Sequence, residues 1–222
     1  GRHVMLEKPP GATLAEVYAL ADMAKAAGVT LFTTWHSRMA EGVAPAKAWL
    51  ADKQITGAHI SWKEDVCRWH PGQDWVFAPG GMGVFDPGSN ALSIITEILP
   101  MPIHLRSADL LFPSNCDTPI AARISFSGGV TADFDWRQEG PQTWDIRFET
   151  DAGPAVLSNG GADFSVGGQS VASGPDREYA GLYARFADLL TRGASDVDLS
   201  PMRHVSDAFT LGRRVVTDPF FF

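Results

Sequence analysis

The feature that most constrains the fold is a row of strand-like segments with tight turns and no helical pattern between them. Ser127-Gly128-Gly129, which separates two of these segments, is typical of a hairpin turn. Consecutive strands joined in this way pair antiparallel. The sequence therefore predicts an α+β domain built on a large, mainly antiparallel sheet. The predicted strands are residues 103–112, 120–126, 130–136, 145–150, 155–157 and 163–166.

The beginning of the chain follows a different order, strand, helix and strand. Residues 2–7 and 29–34 are apolar enough for short buried strands, and Thr13 begins a helix between them with the spacing of a capping box. This order predicts a parallel pair of strands with a right-handed crossover. Because parallel strands are buried on both faces and rarely occur in twos, we expect residues 1–38 to be the remnant of a truncated α/β domain. Residues 39–222 would then form the α+β domain.

Further patterns predict a strand over 56–66 and helices over 45–52, 87–99, 177–191 and 201–216. The last two helices carry apolar stripes, which we interpret as faces that pack on the core. These helices could pack back on the first domain. The residues of the stripes are Tyr179, Leu182, Phe186 and Leu189 in one helix, and Val205, Ala208, Phe209 and Leu211 in the other.

Charge and cysteine content narrow the classes of partner. The chain has 18 Lys and Arg against 26 Asp and Glu, a net charge of −8, and its basic residues form no cluster longer than Arg213-Arg214. Nucleic acids and anionic membrane surfaces attract basic patches, so we expect a small-molecule partner. Cys67 and Cys116 lie far apart without metal-ligand spacing, and no apolar stretch reaches the length of a membrane span. We therefore predict a cytoplasmic protein with no nucleic-acid or membrane partner.

Glu64 lies on the apolar face of the predicted strand 56–66. Side chains alternate between the two faces of a strand, so Glu64 shares its face with Ile60, Trp62 and Val66. A carboxylate on a buried face needs a partner, which makes Glu64 a candidate binding residue. A bulge that turns Glu64 to solvent, or a structural salt bridge, explains the pattern equally well.

Asp86 and Asn90 stand one turn apart at the start of the predicted helix 87–99. The simplest interpretation is that Asp86 caps this helix, with Pro87 in its first position. Asn90, however, is a poor helix former on the same face, and a carboxylate beside an amide offers an acceptor and a donor to one hydroxyl group. The spacing leaves both interpretations open, a helix cap or a hydroxyl-binding pair.

Three further polar residues are predicted to meet at one crevice. Lys8 and His36 follow the two parallel strands at their carboxyl ends, where open α/β sheets bind ligands, and His70 lies in a long loop. A merely solvated lysine would also explain Lys8. No two histidines have the helical spacing of metal ligands, so no metal site is predicted. Tryptophans could cover a sugar ring or fill the core, and they include Trp35, Trp62, Trp69, Trp75, Trp136 and Trp144.

Taken in order, these motifs resemble a known family, the glucose-fructose oxidoreductase, inositol dehydrogenase and rhizopine catabolism (Gfo/Idh/MocA) family of nicotinamide-dependent sugar dehydrogenases. The resemblance spans the whole chain and is carried by Glu7-Lys8-Pro9, Trp35-His36-Ser37-Arg38 and Gly80-Gly81-Met82-Gly83-Val84-Phe85-Asp86. Within the family, residues 62–66, 68–75 and 135–144 look like those of bacterial aldose 1-dehydrogenases that act on D-galactose or L-arabinose.

The resemblance implies a fold and a cofactor. Residues 1–38 would be the C-terminal part of a Rossmann domain whose glycine-rich loop precedes Gly1, and residues 39–222 would form the substrate-binding and catalytic domain. The cofactor would be NAD or NADP. The residues implied to contact it are Glu7, Lys8, Pro9 and Arg38.

The resemblance also implies a reaction, oxidation of an aldose of the D-galactose or L-arabinose type at C1 to the aldonolactone. A hydride leaves the anomeric carbon and a proton leaves its hydroxyl group, so one residue must accept the proton and another must stabilise charge on oxygen. We expect Asp86 to be the base, Lys8 to supply positive charge or to exchange roles with Asp86, and Asn90 to orient the hydroxyl. The residues expected to bind the rest of the sugar are His36, Glu64, Trp69 and His70.

Two alternatives stay open from the sequence. A chain without the dinucleotide loop could be a non-catalytic sugar-binding or oligomerisation module of the same fold, and the truncated chain alone is expected to be inactive. A tightly held cofactor would instead indicate an aldose-aldose oxidoreductase. Because antiparallel sheets usually leave one face open, we also expect a homodimer formed through the sheet.

Overall fold

A computed structural model describes residues 1–221, and the chain begins with the predicted parallel pair of strands. Strands β1 (Val4–Leu6) and β2 (Leu31–Thr33) are hydrogen-bonded in parallel, and helix α1 (Leu14–Ala26) connects them. The Thr13 hydroxyl accepts a hydrogen bond from the Glu16 amide at 3.2 Å, as in a helix cap. The prediction of a strand, a helix and a parallel strand is confirmed.

The rest of the chain is built around one sheet of nine strands. They are β3 (Ile55–Lys63), β4 (Leu105–Pro113), β5 (Ala121–Phe126), β6 (Val130–Asp135), β7 (Thr143–Thr150), β8 (Ala155–Ser158), β9 (Asp163–Val166), β10 (Gln169–Ser173) and β11 (Arg213–Thr217). Their order across the sheet is β10-β9-β8-β7-β3-β6-β5-β4-β11, and only the pairs β3–β6 and β4–β11 are parallel. The prediction of a large, mainly antiparallel sheet is confirmed.

The two edge strands, β10 and β11, correct the predicted element pattern. β10 is mostly exposed and pairs only with β9, so it lacks the apolar alternation that would reveal it. The predicted helix 201–216 is wrong in its second part, because helix α6 (Ser200–Leu211) ends before Gly212. The β-branched residues Val215, Val216 and Thr217 favour a strand, and β11 covers the edge of β4 that would otherwise be open.

Helix α4 (Phe85–Ile98) crosses the centre of the domain and positions the candidate site. Ten of its 14 residues are buried. A Cβ atom at Gly88 would lie 2.9 Å from the ring of Phe134 in β6, so only glycine allows the helix to come this close to the sheet. The first turn of α4 is therefore held directly against the sheet.

Helix α5 (Glu178–Arg192) packs on the opening strands. Leu182 and Leu189 are buried together with Phe32 of β2, and Asp196 forms a parallel bridge with the same phenylalanine. The interpretation of the α5 and α6 stripes as core faces is only partly correct. The first turn of α5 and the last turn of α6 extend beyond the core, so the stripe residues there are exposed to solvent. The exposed members of the stripes are Tyr179, Phe209 and Leu211.

The remaining helical elements are short and carry several predicted site residues. Helix α2 spans Val43–Leu50, α3 spans Val66–Trp69, and 3-10 turns lie at His36–Met39 and Asp74–Phe77. Over residues 1–221, none of the helices combines the length and the apolar character needed to cross a membrane.

Candidate active site

Asp86 lies in the first turn of α4 and does not cap the helix. The N-cap position is Val84, and the Asp86 amide donates a hydrogen bond to the Gly83 carbonyl at 2.9 Å. Gly83 has a φ of +54°, and a Cβ atom there would lie 2.3 Å from the Pro119 carbonyl oxygen, so the turn before the helix needs glycine. The interpretation of Asp86 as a simple cap is wrong, and its carboxylate is available to other elements.

Lys8 reaches Asp86 from the end of β1. Its Nζ donates hydrogen bonds to Asp86 Oδ1 at 2.9 Å and to the Asp86 backbone carbonyl at 3.0 Å. The two side chains are 15% and 16% exposed, so the ion pair is largely shielded from water. The amine at the end of the opening strand and the acid of the central helix therefore face each other.

His70 contacts the second oxygen of the same carboxylate. Its Nε2 lies 3.3 Å from Asp86 Oδ2, and its Nδ1 lies 3.3 Å from Gln73 Oε1. The ring also packs edge-on against Trp136, with centroids 5.1 Å apart. We refer to Lys8, Asp86 and His70 as the Lys8 corner.

The contacts within the Lys8 corner decide which groups hold protons. Burial alone would raise the pKa of Asp86, but the hydrogen bond with His70 and the charge and hydrogen bond of Lys8 outweigh it and lower that pKa to about 2. The pKa of His70 is raised, chiefly by its hydrogen bond to Asp86. Asp86 is therefore ionised at neutral pH.

Glu64 is 6% exposed, which confirms that it lies on the buried face of its strand segment. Trp136 Nε1 donates to Oε1 at 3.1 Å, and Trp144 Nε1 donates to Oε2 at 2.8 Å. Burial raises the pKa of Glu64, and the two indole donors only partly oppose it. The interpretations of Glu64 as a solvent-facing bulge or a salt-bridge partner are wrong, because each oxygen is bonded to a neutral indole.

A cavity of about 430 Å³ opens beside Glu64. Its aromatic wall is built by Trp144, on which Trp62 stacks with centroids 6.0 Å apart and Trp69 packs with centroids 5.7 Å apart. We call this cavity the tryptophan pocket. The predicted residues that line it are His36, Glu64, Trp69 and Asn90.

Asn90 connects the two parts of the site. It stands one turn of α4 after Asp86 and lines the tryptophan pocket, so the helix places the Lys8 corner next to that pocket. The sequence left Glu178 and Tyr179 out of the site, although both line the pocket and contact His36. An acidic residue at a helix start is explained by the helix dipole, so no local pattern could have singled out Glu178.

The residues assigned to a cofactor are divided between two places. Glu7 and Pro9 flank Lys8 at the exposed end of β1. The Arg38 guanidinium instead donates to a backbone carbonyl of α4 at 2.9 Å and to Asp198 Oδ2 at 2.5 Å, so the structure does not bring it to the Lys8 corner. The assignment of Glu7, Lys8, Pro9 and Arg38 to cofactor binding stays a prediction.

The chemistry of the site suits a neutral molecule with several hydroxyl groups. Asp86 and Glu64 offer acceptors, Asn90 offers both an acceptor and a donor, and the indoles offer flat apolar faces. In the described residues, 1–221, no group of three or more His, Cys, Asp or Glu side chains could hold a metal ion. The Lys8 corner adds a shielded positive charge and a group that can take up a proton.

Comparison with known proteins gives close relatives. No family model matches the chain. The chain is 41% identical over 227 residues to galactose 1-dehydrogenase of Pseudomonas fluorescens, an alignment that covers all of this chain and 73% of the relative. Its structure matches that of D-galactose-1-dehydrogenase from Rhizobium etli with a TM-score of 0.95 and 54% identity, over 99% of this chain and 72% of that protein.

A more distant likeness concerns the fold alone. A 3-ketoreductase from Actinomadura kijaniata, solved with NADP and TDP-benzene, matches with a TM-score of 0.76 at 17% identity. The match covers 97% of this chain and 72% of that protein. The fold of this chain is therefore shared with a protein of very different sequence.

Proposed function

The chain belongs to the galactose 1-dehydrogenase family, and we propose that it oxidises an aldose of the D-galactose or L-arabinose type at C1 to the aldonolactone, with reduction of NAD or NADP. The observation that carries the proposal is the contact of 2.9 Å between Lys8 Nζ and Asp86 Oδ1, beside a pocket suited to a sugar ring. The names of the two relatives, at 41% and 54% identity, support galactose as the first substrate to test.

When bound, NAD or NADP supplies the acceptor for the hydride that leaves C1. Glu7, Lys8 and Pro9 would hold its nicotinamide end, because open α/β sheets bind ligands at the carboxyl ends of their parallel strands. These residues fit that role, since β1 and β2 are parallel. Lys8, which follows β1, is also hydrogen-bonded to Asp86. Arg38 is already engaged by Asp198 and is not required for this proposal.

The Lys8 corner removes the hydroxyl proton. Ionised Asp86 accepts a hydrogen bond from the anomeric hydroxyl, while the Lys8 ammonium stabilises the negative charge that develops on oxygen. A carboxylate with a pKa of about 2 does not keep a proton at neutral pH. The proton therefore passes from Asp86 Oδ2 to the lone pair of His70 Nε2, in the neutral tautomer that carries its own proton on Nδ1 and donates it to Gln73 Oε1. Asp86 and His70 therefore act together as the base, which refines the expectation that Asp86 does so alone.

The tryptophan pocket binds the rest of the sugar. Glu64 is fixed by two indole donors and uses its remaining lone pairs to accept from sugar hydroxyls. The exposed indole of Trp69 covers an apolar face of the ring, and Asn90 orients the anomeric hydroxyl. An epimer that fails to pair with these buried groups leaves them unsatisfied, which is how such a site would select its substrate.

The domain organisation and the assembly belong to the same proposal. We infer that residues 1–38 form part of the dinucleotide-binding domain and residues 39–222 form the substrate domain. A homodimer would use the open face of the sheet, where His59, Arg123 and Asp133 are accessible. The free cysteines Cys67 and Cys116 are compatible with a reducing cytoplasm.

The test is an assay of nicotinamide reduction with D-galactose or L-arabinose, on protein that includes any residues its gene encodes before Gly1. We expect reduction coupled to lactone formation, and a loss of kcat/KM of about a hundredfold or more in Asp86→Asn, because the hydroxyl loses its acceptor. Asp22→Asn, on the exposed face of α1, is the matched control. Sugar binding without reduction would favour the non-catalytic module, and a near-normal rate in Asp86→Asn would exclude Asp86 from the base.

A further inference from the structure

Helix α5 begins at the rim of the tryptophan pocket with two residues that hold one imidazole ring. Glu178 and Tyr179, the first residues of α5, both contact His36 in the turn that follows β2. All three side chains line the pocket. The helix dipole accounts for an acidic residue at this end of a helix, but it does not require contact with a histidine 142 residues earlier.

The edge and the face of the His36 ring are held by different side chains. Glu178 Oε2 lies 2.5 Å from His36 Nδ1, and each of the two side chains is 19% exposed. The Tyr179 ring stacks on the imidazole with centroids 5.8 Å apart and an angle of 8° between the planes. One contact restrains rotation within the ring plane and the other restrains tilting, so the imidazole has a single favoured orientation.

The carboxylate also determines which nitrogen of His36 carries a proton. A carboxylate only accepts hydrogen bonds, so Nδ1 must be the donor, and in the neutral ring Nε2 then keeps its lone pair. Ser37 Oγ lies 3.4 Å from the same Nδ1, and no residue between 1 and 221 forms a hydrogen bond with Nε2. In the neutral ring, the nitrogen left for a ligand is therefore an acceptor.

We propose that Glu178 is a positioning residue, which fixes the orientation and the tautomer of His36 so that Nε2 accepts a hydrogen bond from a sugar hydroxyl. The identity of that ligand rests on the proposed function. Glu178 does not touch the reacting carbon in this proposal, and it acts only through His36. Its loss should weaken sugar binding without changing the chemical step.

Tyr179 gives the same helix start a second attachment. Burial raises the pKa of Tyr179, and the charge of Glu7 and its hydrogen bond with the phenol raise it further. Glu7 is the residue before Lys8, so α5 is tied to both strand ends that carry predicted site residues. The His36 ring is thus held by a helix whose first turn lies beside the strand end that carries Lys8.

The first test is spectroscopic and needs no turnover. Nitrogen-15 NMR of the imidazole, at a pH where the ring is neutral, reports which nitrogen is protonated, and His36→Gln assigns the signal. We expect the Nδ1–H tautomer in the wild type and in Glu178→Gln, whose carbonyl oxygen still accepts, and a mixture in Glu178→Ala. An Nε2–H tautomer in the wild type, or no change in Glu178→Ala, would overturn the proposal even if the enzyme is active.

The second test separates binding from chemistry. Glu178→Ala should raise KM for the sugar about tenfold with kcat nearly unchanged, the size expected for a hydrogen bond that is made equally in the ground state and the transition state. Glu178→Gln should restore most of the affinity, and Asp188→Asn controls for charge loss on the same helix. A fall in kcat without a rise in KM, or equal defects in both Glu178 variants, would refute the positioning role.

Discussion

Two carboxylates that are largely shielded from water lie in one site, and their pKa values shift in opposite directions. Asp86 contacts the Lys8 ammonium and the His70 imidazole, and its pKa falls to about 2 although burial opposes this. Glu64 contacts two neutral indole N–H groups, and burial raises its pKa. Burial acts to raise the pKa of both groups, and the difference shows that charged partners reverse this effect at Asp86 whereas two neutral donors do not reverse it at Glu64.

The opposite shifts correspond to different tasks. Asp86 is kept ionised between two groups that can carry protons, which suits the removal of a proton from a hydroxyl group. Glu64 has no cation bonded to it and is held rigidly by one donor on each oxygen, which suits the recognition of hydroxyl positions. Replacing the charged partners of Asp86 by neutral ones, or the neutral partners of Glu64 by charged ones, should therefore change the role of that carboxylate.

The largest effect is expected for Lys8→Met, which would leave Asp86 with a less charged environment, closer to that of Glu64. The pKa of Asp86 should rise, and kcat/KM should fall about a thousandfold, because the developing oxyanion loses its ammonium partner. Steady-state kinetics and carbon-13 NMR titration of the Asp86 carboxyl group measure the two effects.

Lys25→Met provides the matched control, because Lys25 lies exposed in the last turn of α1. It should leave both quantities unchanged. If Lys8→Met loses less than about tenfold in kcat/KM, equivalent to roughly 1.4 kcal/mol, the ammonium is not a major source of transition-state stabilisation.

Periodicity predicted those parts of the fold in which one face of an element is buried. The alternation around Glu64, which directly follows β3, placed it on the buried face. The hairpin turn at 127–129 indicated the pairing of β5 with β6. Periodicity failed for β11, because the segment after Gly212 was compatible with a continued helix until the open edge of β4 is considered. Strand pairing at a sheet edge depends on the neighbour, which a local pattern does not contain.

The contacts within the site depend even more on distant residues. Asp86 at the start of a helix suggested a cap, and only the family resemblance implied that Lys8, 78 residues away, would lie beside it. The indole donors of Glu64 and the contact between Glu178 and His36 join residues whose local patterns have ordinary explanations. Local sequence thus singled out Glu64 and Asn90, whose residue types do not suit their positions, but it did not indicate which partners the residues of the site meet.

The second largest effect is expected for His70. This titratable residue contacts Asp86 but forms no hydrogen bond with Glu64. In the wild type, kcat/KM should fall as the pH drops through the raised pKa of His70, because protonated His70 cannot accept a proton. His70→Gln should lose this limb and be about a hundredfold slower at the pH where the wild type is most active. The pH dependence of kcat/KM measures both.

His104→Gln, which removes an exposed histidine far from the Lys8 corner, should retain the wild-type profile. If kcat/KM of His70→Gln still falls at the same acidic pH as in the wild type, the titration belongs to another group. The proton would then leave the site without passing through His70, and Asp86 would have to act with a different partner.

The smallest effect, on stability, is expected for Glu64→Gln. A carboxyl group keeps a lone pair on each oxygen in either protonation state, whereas the amide nitrogen of Gln faces one indole N–H as a second donor. Leaving that buried donor unpaired should lower the free energy of unfolding by about 2 kcal/mol, measured by denaturant titration against Glu149→Gln, an exposed control on β7.

Because the pKa of Glu64 is raised in the folded state, the stability linked to its protonation is present at low pH and is lost as the pH rises through that pKa. The deficit of Glu64→Gln should therefore be larger in acid than at neutral pH, and a deficit that grows with pH would mean that Glu64 is stabilised as a charged partner, as Asp86 is.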